Sequence, residues 1–163
     1  MDIVSIDPGL RGAIVLLRDG DPIQHWDMPT ITIGKSRYPN HMAIVDLLGT
    51  LRPKHIFLEQ SHAMPDQGVV GTFNYGVGQG LILGACMRYP FSLIRSELWH
   101  RYTDSLLPLS AQGLSAKEKA LETWKLLWPE IPVPKRVRAV NDGCVDAALI
   151  GFYGAWAAGL LKR

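Results

Sequence analysis

Asp142 and Asp146 stand four residues apart in VNDGCVDAALIGFYG (Val140–Gly154), and apolar and small residues then run almost without break to Ala158. A segment of this length with no regular polar face reads as a buried helix of about five turns. Residues at i and i+4 share one helical face, so both carboxylates point the same way. Asp142 is placed where a helix cap belongs. Asp146 lies a full turn further in, where capping does not apply. The chain must therefore supply a surface to cover this helix and a use for its acids.

The preceding sequence supplies the surface. DIVSID (Asp2–Asp7), RGAIVLLRDGD and PIQHWDMP are short, β-branched and punctuated by Pro-Gly and Asp-Gly, the pattern of three antiparallel strands joined by hairpins. TITIGKSRYPN continues as a strand or a basic loop. HMAIVDLLGTLRP has helical spacing, HIFLEQ (His55–Gln60) is a short apolar strand, and TFNYGVGQGLILGACMRY reads as a helix with Gly76, Gly80 and Gly84 on one stripe. Glycine inside a helix costs roughly 1 kcal/mol, which implies that something approaches that stripe closely. PFSLIRSELWHRY gives a strand and a short helix. SAKEKALETWKLLWP opens on a capping box, Ser115 to Glu118, with Leu121, Trp124, Leu127 and Trp128 as its apolar stripe. This order predicts one α/β domain over residues 1–163. Its mixed five-stranded sheet has three antiparallel strands, then parallel ones, flanked by helices.

In that arrangement Asp7 ends the first strand and Glu59 ends the strand after the first helix. Neighbouring strands lie about 4.8 Å apart, so the two acids sit together if those strands pair. Laying the last helix across the sheet brings Asp142 and Asp146 to the same place. Four carboxylates at that density repel one another unless cations sit among them. Oxygen-only ligands favour Mg²⁺, and two such ions stabilise both the attacking water and the leaving oxygen of a phosphodiester.

Charge distribution points the same way. The net charge is +2, but residues 88–163 carry +4 and residues 1–87 carry −2. With four carboxylates taken up by metal, 17 basic residues face 11 remaining acids, a balance of +6 that suits a polyanion. Lys35, Arg37, Arg101, Lys135, Arg136 and Arg138 are candidate phosphate contacts. Lys117, at the second position of a capped helix, opposes the helix dipole, and a bound anion there would compensate it. Cys86 and Cys144 lie in apolar surroundings and read as free thiols in a reducing compartment. No apolar run is long enough to span a membrane, and the first residues carry no secretory pattern.

SIDPGLRGAIVL, IFLEQ and NDGCVDAALIGFYG resemble the three carboxylate motifs of RuvC-type Holliday-junction resolvases, members of the ribonuclease-H-like superfamily. The likeness runs over nearly the whole chain. DMP after the third strand, EQSHAMPDQGVVGTFNYGVGQG, RSELWHRYT and the Asp-Gly-x-x-Asp-Ala spacing are similar to the phage and chloroplast branch, which includes the plant resolvase monokaryotic chloroplast one. Bacterial RuvC enzymes usually space the last pair by three, and either spacing keeps one helical face.

The resemblance implies a homodimer that binds a four-way DNA junction and makes paired nicks. It implies two Mg²⁺ ions per site, with Mn²⁺ able to substitute, held by Asp7, Glu59, Asp142 and Asp146. Lys117 matches a lysine near the scissile phosphate, with Lys119 its neighbour. Phe73 and Tyr75 fall where the family touches bases near the junction centre. Independently of the resemblance, the small-residue stripe makes the glycine-rich helix, residues 73–87, a candidate dimer interface, the alternative being that the stripe packs on its own sheet. No membrane and no nucleotide cofactor are expected. The compartment would be cytoplasm or nucleoid, or chloroplast stroma if a leader has been removed. IDPGLRGAI also resembles the phosphate loop of actin and sugar-kinase ATPases, but those need a second lobe for which 163 residues leave no room. A junction-binding protein that does not cut and a ribonuclease H remain as alternatives.

Overall fold

The computed structural model describes residues 1–60, 68–137 and 139–161. Strands β1 (Asp2–Ile6), β2 (Ala13–Arg18) and β3 (Asp21–Asp27) form two successive hairpins. The second turns at Asp19-Gly20, both with positive φ, as the Asp-Gly signal requires. Helix α1 (His41–Leu51) crosses to β6 (Ile56–Gln60), and α2 (Val69–Cys86) crosses to β7 (Phe91–Arg95). The sheet order is β3-β2-β1-β6-β7, with β1–β6 and β6–β7 parallel. This is the predicted mixed five-stranded sheet.

Both faces of the central strands are covered, so their buried positions are apolar apart from Ser5, and alternation sorts their side chains. Ile3, Val15, Leu17 and Phe57 face α5 (Asp142–Ala157), together with α3 (Ser96–Ser105) and α4 (Ala116–Leu127). Val4, Ile6, Ile14, Leu16, Ile56 and Leu58 face α1 and α2. Trp128 ties the first layer to a hairpin turn, its indole donating to Gly20 O at 3.1 Å. Both cysteines are buried and free, and burial pushes each thiol up to about 12, which leaves them inert at neutral pH. Among the described residues no helix is long and apolar enough to cross a membrane.

Several expectations need correcting. TITIGKSRYPN is neither a single strand nor a loop but a separate hairpin, β4 (Thr30–Ile33) and β5 (Ser36–Pro39), turning at Gly34 with φ 62°. Lys135 and Arg136, for which no element was predicted, form β8 (Lys135–Arg136) of a second small hairpin with β9 (Ala139–Val140), with Val137 at φ 55° between them. The cap of α5 is Asn141, whose side chain accepts from the Cys144 N–H, so Asp142 is the first helical residue and keeps its carboxylate free of capping. The glycine stripe of α2 is only partly covered: a side chain added at Gly84 would meet His41, while one at Gly76 or Gly80 would meet nothing within 4 Å among the described residues.

Candidate active site

Asp7 follows the last residue of β1, and Glu59 is the fourth residue of β6. The register pairs Ile6 with Leu58, so the two acids leave adjacent parallel strands side by side. Helix α5 meets them at its first turn. Its approach is fixed by a backbone bridge between Gly12, in the loop after Asp7, and Gly143. A Cβ on Gly143 would lie 2.5 Å from Arg11 O, and one on Gly12 would overlap the Asp7 carbonyl. Both glycines are therefore required by close approach. The sequence signal for this contact was the Gly beside each acid motif.

The result is an open cleft of about 700 Å³ whose lining includes Asp7, Asp142, Asp146 and Lys117. Asp146 is half-buried, and its carboxyl is pushed up to about 7 by burial and then by the charges of Asp7, Glu59 and Asp142, against relief from Lys117. Burial likewise raises Asp7 to about 6. A hydrogen bond from Gly9 N–H opposes this, the Glu59 charge adds to it, and Arg136 relieves it. So the four acids feel one another, with Asp146 in the middle. Lys117 Nζ donates to Asp142 Oδ2 at 2.7 Å, an exposed ion pair that brings the expected lysine to the expected cluster.

The donor chemistry fits divalent cations: four hard carboxylates, two of them raised first by burial and then by neighbouring charge, against one adjacent lysine. The side chains as they lie do not form a closed cage. Among the described residues no group of three or more His, Cys, Asp or Glu stands poised around a single point. Their oxygens are engaged elsewhere: Asp142 with Lys117, Asp7 Oδ1 with Gly9 N–H at 3.1 Å, and Glu59 Oε1 with the Trp99 indole at 2.9 Å. Rotation of the exposed Asp142 side chain away from Lys117 is the smallest change that would free a ligand.

The candidate DNA contacts divide into groups. Arg37 and Arg136 line the cleft, and Lys35 and Lys135 are exposed on the two small hairpins. Arg101 and Lys119 line a different cavity between α3 and α4, where Lys119 is paired with Asp104 at 2.9 Å. Phe73 is 69% exposed on the first turns of α2, and Tyr75 is partly exposed beside it. Arg138 lies outside the described residues, as does most of the stretch between Glu59 and α2.

Sequence reasoning missed a clasp at the rim. Arg136 donates to both oxygens of Asp27 (2.7 and 3.2 Å) and to Arg11 O at 3.2 Å, while Asn141 Nδ2 donates to Asp27 Oδ1 at 2.8 Å. The Arg136 guanidinium, and then the Asn141 amide, hold the Asp27 carboxyl below its usual range. Asp27 thus joins the basic hairpin, the loop after Asp7 and the cap of α5. Its only trace in the sequence was the DMP tripeptide, whose partners lie more than a hundred residues away.

No protein-family model and no curated protein sequence matches the chain. Solved structures do match in fold. Thermus thermophilus RuvC in complex with a Holliday-junction substrate superposes with a TM-score of 0.62 at 16% identity, covering 98% of this chain and 96% of that one. Another T. thermophilus RuvC structure gives 0.59 at 15% identity, covering 98% and 96%. The yeast mitochondrial Holliday-junction resolvase Ydc2 gives 0.53 at 15%, covering 97% of this chain and 79% of that one. The chain has the ribonuclease-H-like fold in the form that RuvC adopts.

Proposed function

We propose that this protein is an endonuclease that resolves four-way DNA junctions by metal-dependent phosphodiester hydrolysis, acting as a homodimer with two equivalent sites. The observation that carries the reading is the convergence of Asp7, Asp142 and Asp146 on one cleft, with Glu59 on the adjacent strand, where burial, and then the charges of neighbouring acids, raise Asp7 and Asp146. Support comes from the fold, shared with a RuvC structure that holds a junction, and from the three sequence motifs. The narrower likeness to the phage and chloroplast branch rests on those motifs alone.

Asp7, Glu59, Asp142 and Asp146 would hold two Mg²⁺ ions, with Mn²⁺ as a substitute. Bound there, the ions supply an activated water and charge stabilisation at the leaving oxygen. The protein's own part is placement. Two rigid strands carry Asp7 and Glu59, and a helix bridged to the Asp7 loop carries the other pair. Lys117, tied to Asp142 yet largely exposed, can exchange that carboxylate for a phosphate at the cleft. Arg37 and Arg136 line the path of a backbone, with Lys35 and Lys135 beyond. Exposed Phe73 and Tyr75 suit base stacking. The open Gly76–Gly80 face of α2 suits close approach by a second copy.

The test is cleavage of a synthetic four-way junction with and without Mg²⁺, beside a plain duplex and an RNA–DNA hybrid. We expect Mg²⁺-dependent cutting of the junction in preference to both. Asp146→Asn should bind the junction at least as tightly as wild type and fall by three or more orders of magnitude in cutting rate, about 4 kcal/mol in barrier. Equal cutting of the hybrid, or junction binding with no cutting under any metal, would replace this reading with one of the two alternatives.

A further inference from the structure

Trp99, at the centre of the RSELWHRYT motif, is 2% exposed and packs in the core beneath α5. A buried indole needs an acceptor for its N–H, and here the acceptor is Glu59 Oε1, at 2.9 Å. The same residue is held again from the other face of the sheet, where Gln79 of α2 donates to the Glu59 backbone carbonyl at 3.2 Å. Behind the indole, His100 stacks on it with ring centroids 3.6 Å apart and planes 25° from parallel. The plane of Trp99 is thus fixed by core packing on one side and by a second ring on the other.

Asp142 and Glu59, the two acids of the site that accept from another residue's side chain, are held very differently. Asp142 answers to a lysine side chain that is 78% exposed and free to swing. Glu59 answers to a donor that cannot follow a rotating carboxylate. With Oε1 committed to the indole, the orientation of the whole group is set and Oε2 is the oxygen left for a cation; the carboxyls of Asp7 and Asp146 register the Glu59 charge.

We infer that Trp99 is a positioning residue for the cleft. Its indole N–H fixes the Glu59 carboxylate so that one defined oxygen is presented to a divalent cation. The inference rests on the metal-binding part of the proposed function. Outer donors of this kind typically govern 10- to 100-fold of metal affinity or activity.

The test replaces Trp99 with benzothienylalanine, which keeps the shape of the indole and lacks the N–H, and in parallel makes Trp99→Phe. Three quantities are read: Mn²⁺ binding to metal-free protein by titration calorimetry, the melting temperature without metal, and single-turnover junction cutting. We expect the benzothienyl protein to melt within a few degrees of wild type, to bind Mn²⁺ 10- to 100-fold more weakly, and to need correspondingly more Mn²⁺ for half-maximal cutting. Trp99→Phe should lose the same metal affinity and also some stability, because it leaves a gap in the core. Mn²⁺ affinity within two-fold of wild type in the benzothienyl protein would overturn the inference and leave Trp99 as a core residue. Wild-type protein that takes up no Mn²⁺ would overturn it together with the metal reading. Weakened Mn²⁺ binding with no junction cutting by wild type would uphold the inference and remove the proposed reaction.

Discussion

Helices α2 and α5 look alike in sequence: both are long, rich in small residues, and without a regular polar face. In the structure they have little in common. Eleven of the sixteen residues of α5 are buried, and each of its glycines touches something hard: Gly143 the Arg11 carbonyl, Gly151 the Ser5 and Leu17 side chains, Gly154 the Phe57 ring. Only four of the eighteen residues of α2 are buried, and at Gly76 and Gly80 there is open space. Glycine in α5 is demanded by the sheet, because a side chain would hold the helix off the strands and carry Asp142 and Asp146 away from Asp7. In α2, Gly78 lies against Pro39 and Gly84 against His41, but Gly76 and Gly80 answer to no contact among the described residues, so either they carry an unrecovered cost or that open face has another use.

The sharpest way to break this comparison is Gly154→Val. The added Cβ would sit inside van der Waals contact of the Phe57 ring, in a core with no room to yield. Overpacking costs typically 1–3 kcal/mol, and here we expect at least about 3. Chemical denaturation should show a lower midpoint with an unchanged slope. A variant as stable as wild type would mean that α5 does not rest on the sheet as described.

The next effect concerns the acids that α5 carries inward. The folded-state carboxyls of Asp7 and Asp146 lie at about 6 and about 7, above the unfolded value of 3.8. Groups raised in this way stabilise the fold below the unfolded value and lose that contribution as pH rises through the folded one. The metal-free protein should therefore melt lower at pH 8 than at pH 5. Asp146→Asn should remove much of that slope, gaining on the order of 2–4 kcal/mol at pH 8 and little at pH 4. Mg²⁺ should raise the melting temperature of wild type at pH 8 more than at pH 5, and chelation should reverse it. A flat pH profile for wild type would show that the carboxylates are too well solvated to repel one another.

The smallest effect is the most informative about α2. Gly80→Ala meets nothing within 4 Å and should raise stability by up to about 1 kcal/mol through helix propensity, a shift of roughly 2–4 °C for a chain of this size. The same substitution should weaken self-association if this face meets a second copy. Sedimentation of the variant beside wild type at matched concentrations separates the two consequences. Unchanged association would move the dimer interface elsewhere.

Much of the fold was legible because the strand and helix periods are clean and the first turns carry Pro-Gly and Asp-Gly signals, whereas the hairpin at Gly34 went unread. The four acids were legible because each stands where an apolar element ends or breaks its own pattern. Asp7 and Glu59 close strands, and Asp146 interrupts a buried helix. What was not legible was pairing at long range. Arg136 read as a phosphate contact, but its guanidinium is also occupied by Asp27, from the far end of β3. Lys119 read the same way and is paired with Asp104. Trp99 read as a motif without a role, because its acceptor lies on another strand forty residues earlier. Hydrophobic pattern reports which way a side chain faces, inward or outward, and says nothing about which polar group it will find there.

The bridge between Gly12 and Gly143 also sets an order of events in folding. It joins the loop after the first strand to the first turn of the last helix, so the contact closes across most of the chain. Loop closure of that span is entropically unfavourable and is recovered only when the rest of α5 settles on the sheet. The hairpins of β1 to β3 can form early, from neighbours in sequence, but the cleft cannot. Folding speed should therefore be limited by docking of α5, and substitutions at Gly12 or Gly143 should slow refolding more than they hasten unfolding.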